Sequence, residues 1–185
     1  SDGNTVGFTD RQANDYTNMA GTSMSCPHVA GLAALLIQAL EANGYTWSYT
    51  EADALKVKML ILMTANETNK TGEDSNNPPL NRGGKDLVEG YGRINADAVI
   101  EAVTPEHTGS TEYAILGSTS LDKKAWARKV NLPAGEPITF NLNVPSGADY
   151  DLYLYRGTPD SIGDPVILTS STSSSTGNTE TITYT

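Results

Sequence analysis

The chain has 185 residues, a formal net charge of −10 and 38% hydrophobic residues, which suits one domain or two small ones with an apolar core. The acidic balance argues against nucleic-acid binding, which favours basic patches, and the single cysteine, Cys26, excludes an internal disulfide bond. The longest apolar run is shorter than the roughly 18 residues that a membrane helix needs, so we expect neither nucleic acid nor membrane among the partners.

Residues 1–20 are polar and rich in Asn, Asp and Gly, which is typical of a loop. The first predicted helix follows, roughly over residues 22–42. Its run Val29–Ile37 is apolar all round, which predicts a buried helix. Pro27 is tolerated if it lies in the first turn. Asn43-Gly44 supplies a stop, because glycine readily adopts the left-handed cap.

Ser23 stands at the predicted start of this helix. Its hydroxyl and N–H would lie at the positive end of the helix dipole, which favours the developing negative charge of an acyl-transfer site. Gly21 would leave room for the close approach of a substrate. The alternative is that Ser23 or Thr22 is an ordinary helix cap. Cys26 is expected to be a small buried residue of the helix; as a rival nucleophile it lacks a histidine partner.

A serine nucleophile needs a general base, usually a histidine oriented by a carboxylate. His28 lies five residues after Ser23, roughly 140° away around the helix, and so does not face the hydroxyl. His107 stands beside Pro105 in an apparent linker with no aspartate motif near it. The residues present therefore supply no complete triad.

The run from Gly21 to Gly31 (Gly-Thr-Ser-Met-Ser-Cys-Pro-His-Val-Ala-Gly) resembles, at nearly every position, the nucleophile motif of the subtilisin-like serine peptidases, the subtilase family. The resemblance implies that Ser23 is the catalytic nucleophile, with its own N–H as one oxyanion donor, that Met24 is an oxidation-prone neighbour, and that His28 is structural. In that family the triad Asp and His and the oxyanion asparagine lie far upstream of the serine. Those motifs are not found here, so we expect this chain to be the C-terminal part of a larger peptidase and inactive by itself.

Two further signals follow in chain order. Thr50-Glu51-Ala52-Asp53 is a capping signature before apolar residues that predict a second helix, to about Ala65. The run Gly90–Ala96 resembles the turn that precedes the last helix of the subtilase catalytic domain. Its Asn95 is a good N-cap for a helix over Ala96–Val103.

The stretch Asn66–Asp86 reads as a long surface loop because it holds almost no large apolar residue. Asn66 and Asn69 each begin a glycosylation acceptor tripeptide, which indicates exposure more than modification. Glu73 and Asp74 suggest a calcium loop only weakly, since no EF-hand spacing is present.

Beyond residue 104 the pattern becomes that of short strands separated by turn residues, which predicts an antiparallel sandwich. The predicted strands are Trp126–Leu132, Ile138–Val144, Ala148–Tyr155, Val166–Leu168 and Thr181–Tyr184.

The run Asp149–Tyr155 resembles the small β-sandwich appended to many secreted bacterial and archaeal peptidases, the pre-peptidase C-terminal domain. Asp149 and Asp151 offer oxygen ligands for calcium, although solvated acidic residues on an outer face are the commoner arrangement. Tyr153 and Tyr155 form either a sugar- or protein-binding patch or an ordinary cover of the sheet.

These patterns together predict the C-terminal portion of an α/β parallel-sheet domain over residues 1–104 and an all-β antiparallel sandwich over residues 105–185. The resemblance implies a secreted serine endopeptidase fragment that acts through an acyl-enzyme on Ser23. Its partners would be protein or peptide substrates and the remainder of its own catalytic domain. The chemistry would need no cofactor, and a structural calcium ion is compatible with it. The alternative is a non-catalytic binding or stability module that carries a β-sandwich.

Overall fold

The computed structural model describes residues 20–66, 90–104, 111–117 and 123–185. Three helices and four strands lie in these parts of the chain. In chain order they are α1 (Thr22–Ala42), α2 (Glu51–Met63), α3 (Ala96–Ala102), β1 (Ile138–Leu142), β2 (Leu152–Tyr155), β3 (Ile167–Ser171) and β4 (Glu180–Tyr184).

The bounds of α1 agree with the prediction. Gly44 has a φ of 87°, and its N–H donates to the Glu41 carbonyl, while the Tyr45 N–H donates to the Leu40 carbonyl. This is a Schellman motif, in which left-handed glycine lets the chain satisfy the last helical carbonyls. The expectation for Pro27 was wrong, because Pro27 is the sixth helical residue and lies inside the helix.

The prediction that α1 is buried on all sides was also wrong. Its buried residues are Leu32, Leu36 and Leu40, one narrow stripe with helical spacing. They join the core cluster with side chains of α2 and α3. The ten residues from Thr22 to Gly31 are all exposed apart from Met24, which is half-buried, so Cys26 is exposed rather than buried. The reason is that the core formed by α2 and α3 covers only the C-terminal half of α1.

By length and composition alone, α1 as a whole could cross a bilayer: it has 21 residues and a mean hydropathy of 1.4 over its most apolar window. This differs from the expectation drawn from the shorter apolar run. Core helices of soluble proteins pass the same test, so composition does not distinguish the two environments.

Both predicted caps in the rest of the helical part are confirmed. Thr50 caps α2 in a capping box with Asp53, and the Asn95 side chain accepts from the Ala98 N–H at 3.0 Å at the start of α3. Each side chain satisfies a helical N–H that has no partner within its helix. The last residue of α3 is Ala102, one short of the prediction.

Asn66 ties the end of α2 to the turn before α3. Its backbone forms an antiparallel bridge with Arg93, with N–H···O distances of 2.7 and 2.9 Å. Its side-chain oxygen accepts from Asn95 Nδ2 at 2.8 Å and from the Lys124 N–H at 3.0 Å. Asn66 is only 3% exposed, so the expected exposure of this residue was wrong. Asn69, Glu73 and Asp74 lie outside the described residues.

The four strands form two antiparallel ribbons, β1 with β4 and β2 with β3. Along β1 the burial alternates as predicted, with Ile138, Phe140 and Leu142 half-buried. The strand predicted over Val166–Leu168 overlaps β3 but begins and ends too early, since β3 spans Ile167–Ser171. Among the described strands no parallel pair is present.

The prediction of a strand over Trp126–Leu132 was wrong, because the structure assigns no strand there. This segment lies against α3 instead, where Arg128 pairs with Glu101. The two ribbons are joined by Glu180, which is 2% exposed. Its carboxylate accepts from the Ser171 hydroxyl and from the Ser173 N–H.

Candidate functional site

The N-terminus of α1 is built around Gly21. This residue is the N-cap, with a φ of 149° that only glycine adopts readily, and it makes no side-chain capping bond. Its carbonyl accepts from the N–H groups of Met24 and Ser25 at 3.0 and 3.1 Å. The next two positions, Thr22 and Ser23, are therefore the first two residues of the helix proper, where N–H groups have no helical acceptor.

Ser23 is exposed at this terminus. No described residue forms a hydrogen bond with its hydroxyl. The capping role considered for Ser23 or Thr22 was wrong, since Gly21 occupies the cap position and α1 has no side-chain cap bond. With respect to the described residues, Ser23 thus presents an unbonded hydroxyl beside N–H groups that have no helical acceptor, at the positive end of a 21-residue helix.

The first turn of α1 holds no acidic residue, so no carboxylate there competes for these N–H groups. Pro27 lacks an N–H and removes the helical bond that would otherwise reach the Ser23 carbonyl. Ser25, two residues on, is also exposed, but its hydroxyl is directed to the Gly21 carbonyl at 3.4 Å. The two serines of the run therefore differ: the Ser25 hydroxyl is directed to a backbone carbonyl, whereas the Ser23 hydroxyl bonds no described residue.

His28 is turned to the backbone of its own helix. Its Nδ1 lies 2.7 Å from the Met24 carbonyl, and because a carbonyl only accepts, Nδ1 carries the hydrogen. This agrees with the geometric expectation that His28 does not face Ser23. His107, the other histidine, lies outside the described residues, as do all aspartates upstream of Ser23.

A polar cluster surrounds Asp53 at the start of α2. Its carboxylate accepts from the Tyr45 hydroxyl at 2.6 Å and from the Ser48 and Thr50 N–H groups at 3.0 and 2.9 Å. These bonds, that of Tyr45 first, lower the pKa of Asp53 to about 2. Asp53 is 3% exposed, so the cluster is a closed structural cap rather than a site open to substrate.

Among the described residues, Asp149 and Asp151, which precede β2, belong to no group of three metal-ligating side chains. Asp149 is exposed, and Asp151 accepts from the Tyr153 hydroxyl at 3.4 Å. Nowhere in the described ranges do three metal-ligating side chains of the His, Cys, Asp and Glu types come together. The rings of Tyr153 and Tyr155 stack at 6.1 Å, and burial raises the pKa of Tyr155. Both side chains are half-buried, and the two roles considered for the pair, a binding patch and a cover of the sheet, stay predictions.

Sequence reasoning missed two groups of residues: the buried amide of Asn66 and the contact of Lys58 with Asp164 at 2.7 Å. An Asp-x-x-Gly-Asp turn at residues 160–164 was the only local signal of the second. Neither group could be assembled from the sequence, because the partners are distant in the chain.

Comparison with known proteins identifies the first half of the chain. The sequence model of the subtilase family matches residues 2–92. Subtilisin-like protease SBT5.5 of Arabidopsis thaliana is 41% identical over 64 residues, 35% of this chain and 7% of that protein. Subtilisin-like protease SBT1.4 of the same plant is 27% identical over 99 residues, 51% of this chain and 12% of that protein.

No solved structure matches the chain. The family match includes the whole Gly21–Gly31 run and both glycines of the turn before α3, which are the residues that carry the resemblance in the sequence. Such a family fits an α/β domain, although the described strands belong to the later, antiparallel part. Over residues 2–92 this chain belongs to the subtilase family of serine proteases.

Proposed function

We propose that the chain is the C-terminal part of a secreted subtilisin-like serine endopeptidase and that Ser23 is its nucleophile. One observation carries the proposal: within the family run, Ser23 is exposed at the second position of α1 and its hydroxyl bonds no described residue. A structural serine at a helix start normally caps the helix. Here Gly21 occupies the N-cap position, so the Ser23 hydroxyl has no capping role.

In this proposal the Ser23 Oγ attacks the carbonyl carbon of a peptide bond, and a histidine supplied by an upstream part of the protein takes the hydroxyl proton. The tetrahedral intermediate places negative charge on the former carbonyl oxygen. The Ser23 N–H and the dipole of α1 stabilise that charge. The amine then leaves with the proton, and water hydrolyses the acyl-enzyme and releases Ser23.

Other parts of the proposal rest on the same run of residues. A Cβ at Gly21 would meet nothing within 4 Å, so backbone conformation rather than crowding within the described chain requires glycine there. Met24, half-buried beside the serine, would be the oxidation-prone neighbour. Because the triad Asp and His are supplied from upstream, this chain alone is expected to be inactive. The chemistry requires no cofactor, and a structural calcium ion would be compatible with it.

The proposal divides the chain at residue 104. Residues 1–104 would complete the catalytic domain, which as a whole binds protein or peptide substrates. Residues 105–185 would form a sandwich of the pre-peptidase C-terminal type, in support of which the structure offers two antiparallel ribbons. A non-catalytic stability module is the second candidate, and it is favoured by the contact of the second ribbon with α2 at Lys58.

The test is fluorophosphonate labelling with mass spectrometry of the modified peptide. It compares this chain, the longer protein that includes the upstream segment, and that protein with Ser23→Ala. Ser25→Ala is the matched control, since its hydroxyl lies two residues away on the same exposed turn. We expect labelling of Ser23 in the longer protein and in its Ser25→Ala variant, and none in Ser23→Ala. A folded longer protein without label on Ser23 would exclude the peptidase function and favour the stability module.

A further inference from the structure

A short turn between β2 and β3, residues Asp160 to Asp164, presents two oxygens to one cation. Lys58 Nζ on α2 donates to the Ile162 carbonyl at 2.6 Å and lies 2.7 Å from Asp164 Oδ1. The turn holds its own shape, since Asp160 Oδ1 accepts from the Ile162 and Asp164 N–H groups at 3.0 and 2.8 Å. The binding geometry for the ammonium group is therefore largely preorganised.

Gly163 lies at the centre of this contact and is buried although it has no side chain to bury. A Cβ built there would lie 2.8 Å from Lys58 Cδ and 3.1 Å from Leu55 Cδ2. Its φ is +89°, a region that other residues adopt only with strain. The backbone of the turn therefore packs directly on the α2 surface, closer than any side chain would permit.

Tyr91 extends the same contact to the end of the family segment, which closes at residue 92. Burial, followed by a hydrogen bond to the Asp164 carboxylate, raises the pKa of Tyr91 to about 12. Tyr155 of β2 lies near enough to Tyr91 for the two phenols to interact electrostatically. The carboxylate of Asp164 thus joins α2 and the turn before α3 at one point.

A second attachment lies at the start of the segment that leads to the ribbons. The Lys124 N–H donates to Asn66 Oδ1 at 3.0 Å. Lys123 and Arg128 both pair with the Glu101 carboxylate of α3. Attachment at two separate places restricts the rotation of the ribbons about either one.

We propose that the ribbons are an intramolecular brace of the subtilase segment rather than an independently tethered module. The docking element is the Asp160–Asp164 turn, and its partner is the surface formed by Leu55, Lys58 and Tyr91. Because α2 packs on the C-terminal half of α1 through the core cluster, the brace stabilises the helix that carries Ser23. No assignment from the family match reaches this part of the chain.

The test uses two glycines of the ribbon part that share a conformation and differ in surroundings. Gly147 has a φ of 85° and Gly163 of 89°, but a Cβ at Gly147 meets nothing within 4 Å. Gly147→Ala therefore introduces backbone strain alone, whereas Gly163→Ala adds a collision with Lys58. We expect Tm to fall by roughly 3–6 °C in the first and by roughly twice as much in the second.

Lys58→Ala removes the side chain with which the new Cβ collides. We expect the double variant Gly163→Ala/Lys58→Ala to lose less Tm than the sum of the losses of the two single variants, because the effects of residues in contact are not additive. Gly147→Ala/Lys58→Ala is the matched additive control. Equal losses at the two glycines, or additive behaviour in both pairs, would overturn the docking of the turn on α2.

Hydrogen exchange of the α2 amides shows whether the contact with the Asp160–Asp164 turn stabilises α2. Asp164→Asn keeps the size of the side chain and removes its charge, and we expect the α2 amides to exchange about two- to fivefold faster. Asp149→Asn, an exposed acid of the same part, should leave α2 unchanged. Unchanged α2 exchange in Asp164→Asn would overturn the brace. These measurements need no enzymatic activity, so failed labelling of Ser23 would not bear on them, nor they on Ser23.

Discussion

The N-termini of α1 and α2 differ in whether side chains satisfy the free backbone N–H groups of the first turn. At α2 the capping box of Thr50 and Asp53 satisfies the free N–H groups, and Asp53 also binds Tyr45 and Ser48. At α1 the cap is Gly21, which has no side chain to offer. Helix starts that serve stability use their N–H groups internally. A start that leaves them open, beside a serine that bonds no described residue, is available to an anionic group, which is the arrangement that the proposed function requires.

The largest expected effect belongs to the open terminus. In the longer peptidase that we propose, Ser23→Ala should lower kcat by on the order of 10⁶-fold, the size seen when the nucleophile of a serine protease triad is removed. Its free energy of unfolding should change by no more than about 0.5 kcal/mol. Peptide hydrolysis and urea unfolding measure the two quantities. If Ser23→Ala instead lowered the free energy of unfolding by several kcal/mol, the lost activity would be explained by lost stability, and Ser23 would be a structural residue.

The next largest effect belongs to the closed terminus. Asp53→Ala leaves the Tyr45 hydroxyl and the Ser48 and Thr50 N–H groups without their acceptor, and we expect Tm to fall by roughly 5–8 °C. Glu51→Ala is the control, because it removes an exposed acid from the same first turn. Similar losses in the two variants would mean that only the charge near the helix start matters.

Two threonines give a matched comparison of the helix starts. Thr50 accepts from the Asp53 N–H as the cap of α2, so Thr50→Ala should cost about 1 kcal/mol. Thr22 is the first residue of α1 and caps nothing, so Thr22→Ala should stay within about 0.5 kcal/mol. Urea unfolding with unchanged m-values measures both. An equal cost at position 22 would contradict the open terminus.

The smallest effect is the pH dependence of stability that Asp53 contributes at the start of α2. The pKa of Asp53 is about 2 when folded, below the value near 4 of an unfolded chain. Its stabilisation is therefore complete above about pH 4 and is lost as the pH falls towards about 2. Tyr45→Phe removes the largest cause of the shift, so the pKa of Asp53 in the folded state rises. Protonation of Asp53 at low pH then costs less stability. Tm measured at about pH 6 and about pH 2.5 should differ less in this variant than in the wild type, and an unchanged difference would exclude Tyr45 as the cause.

Local sequence was sufficient for the helix ends and for several turns. Gly44, Thr50 and Asn95 were each predicted as a stop or a cap and are found as such. These signals act within four residues along the chain, so they need no knowledge of the rest of the molecule. Alternation along β1 was predicted for the same reason.

Burial was predicted less well, because it depends on what packs against an element. Cys26 was expected inside and Asn66 outside, and the structure places each the other way. The apolar character of α1 is uniform along its run, while α2 and α3 cover only the half that carries Leu32, Leu36 and Leu40. The polar side chain of Asn66 is accommodated in a buried position because two other segments, the turn with Arg93 and Asn95 and the segment with Lys124, supply its hydrogen-bond partners.

The sequence by itself determined the family segment, the position of Ser23 at a helix start and the caps of α2 and α3, since each is written in neighbouring residues. Only the tertiary structure decided which stripe of α1 is buried, and only it joined Lys58 to a turn 104 residues away. Contacts over such distances follow from the packing of whole elements, and no local pattern of residue types encodes them.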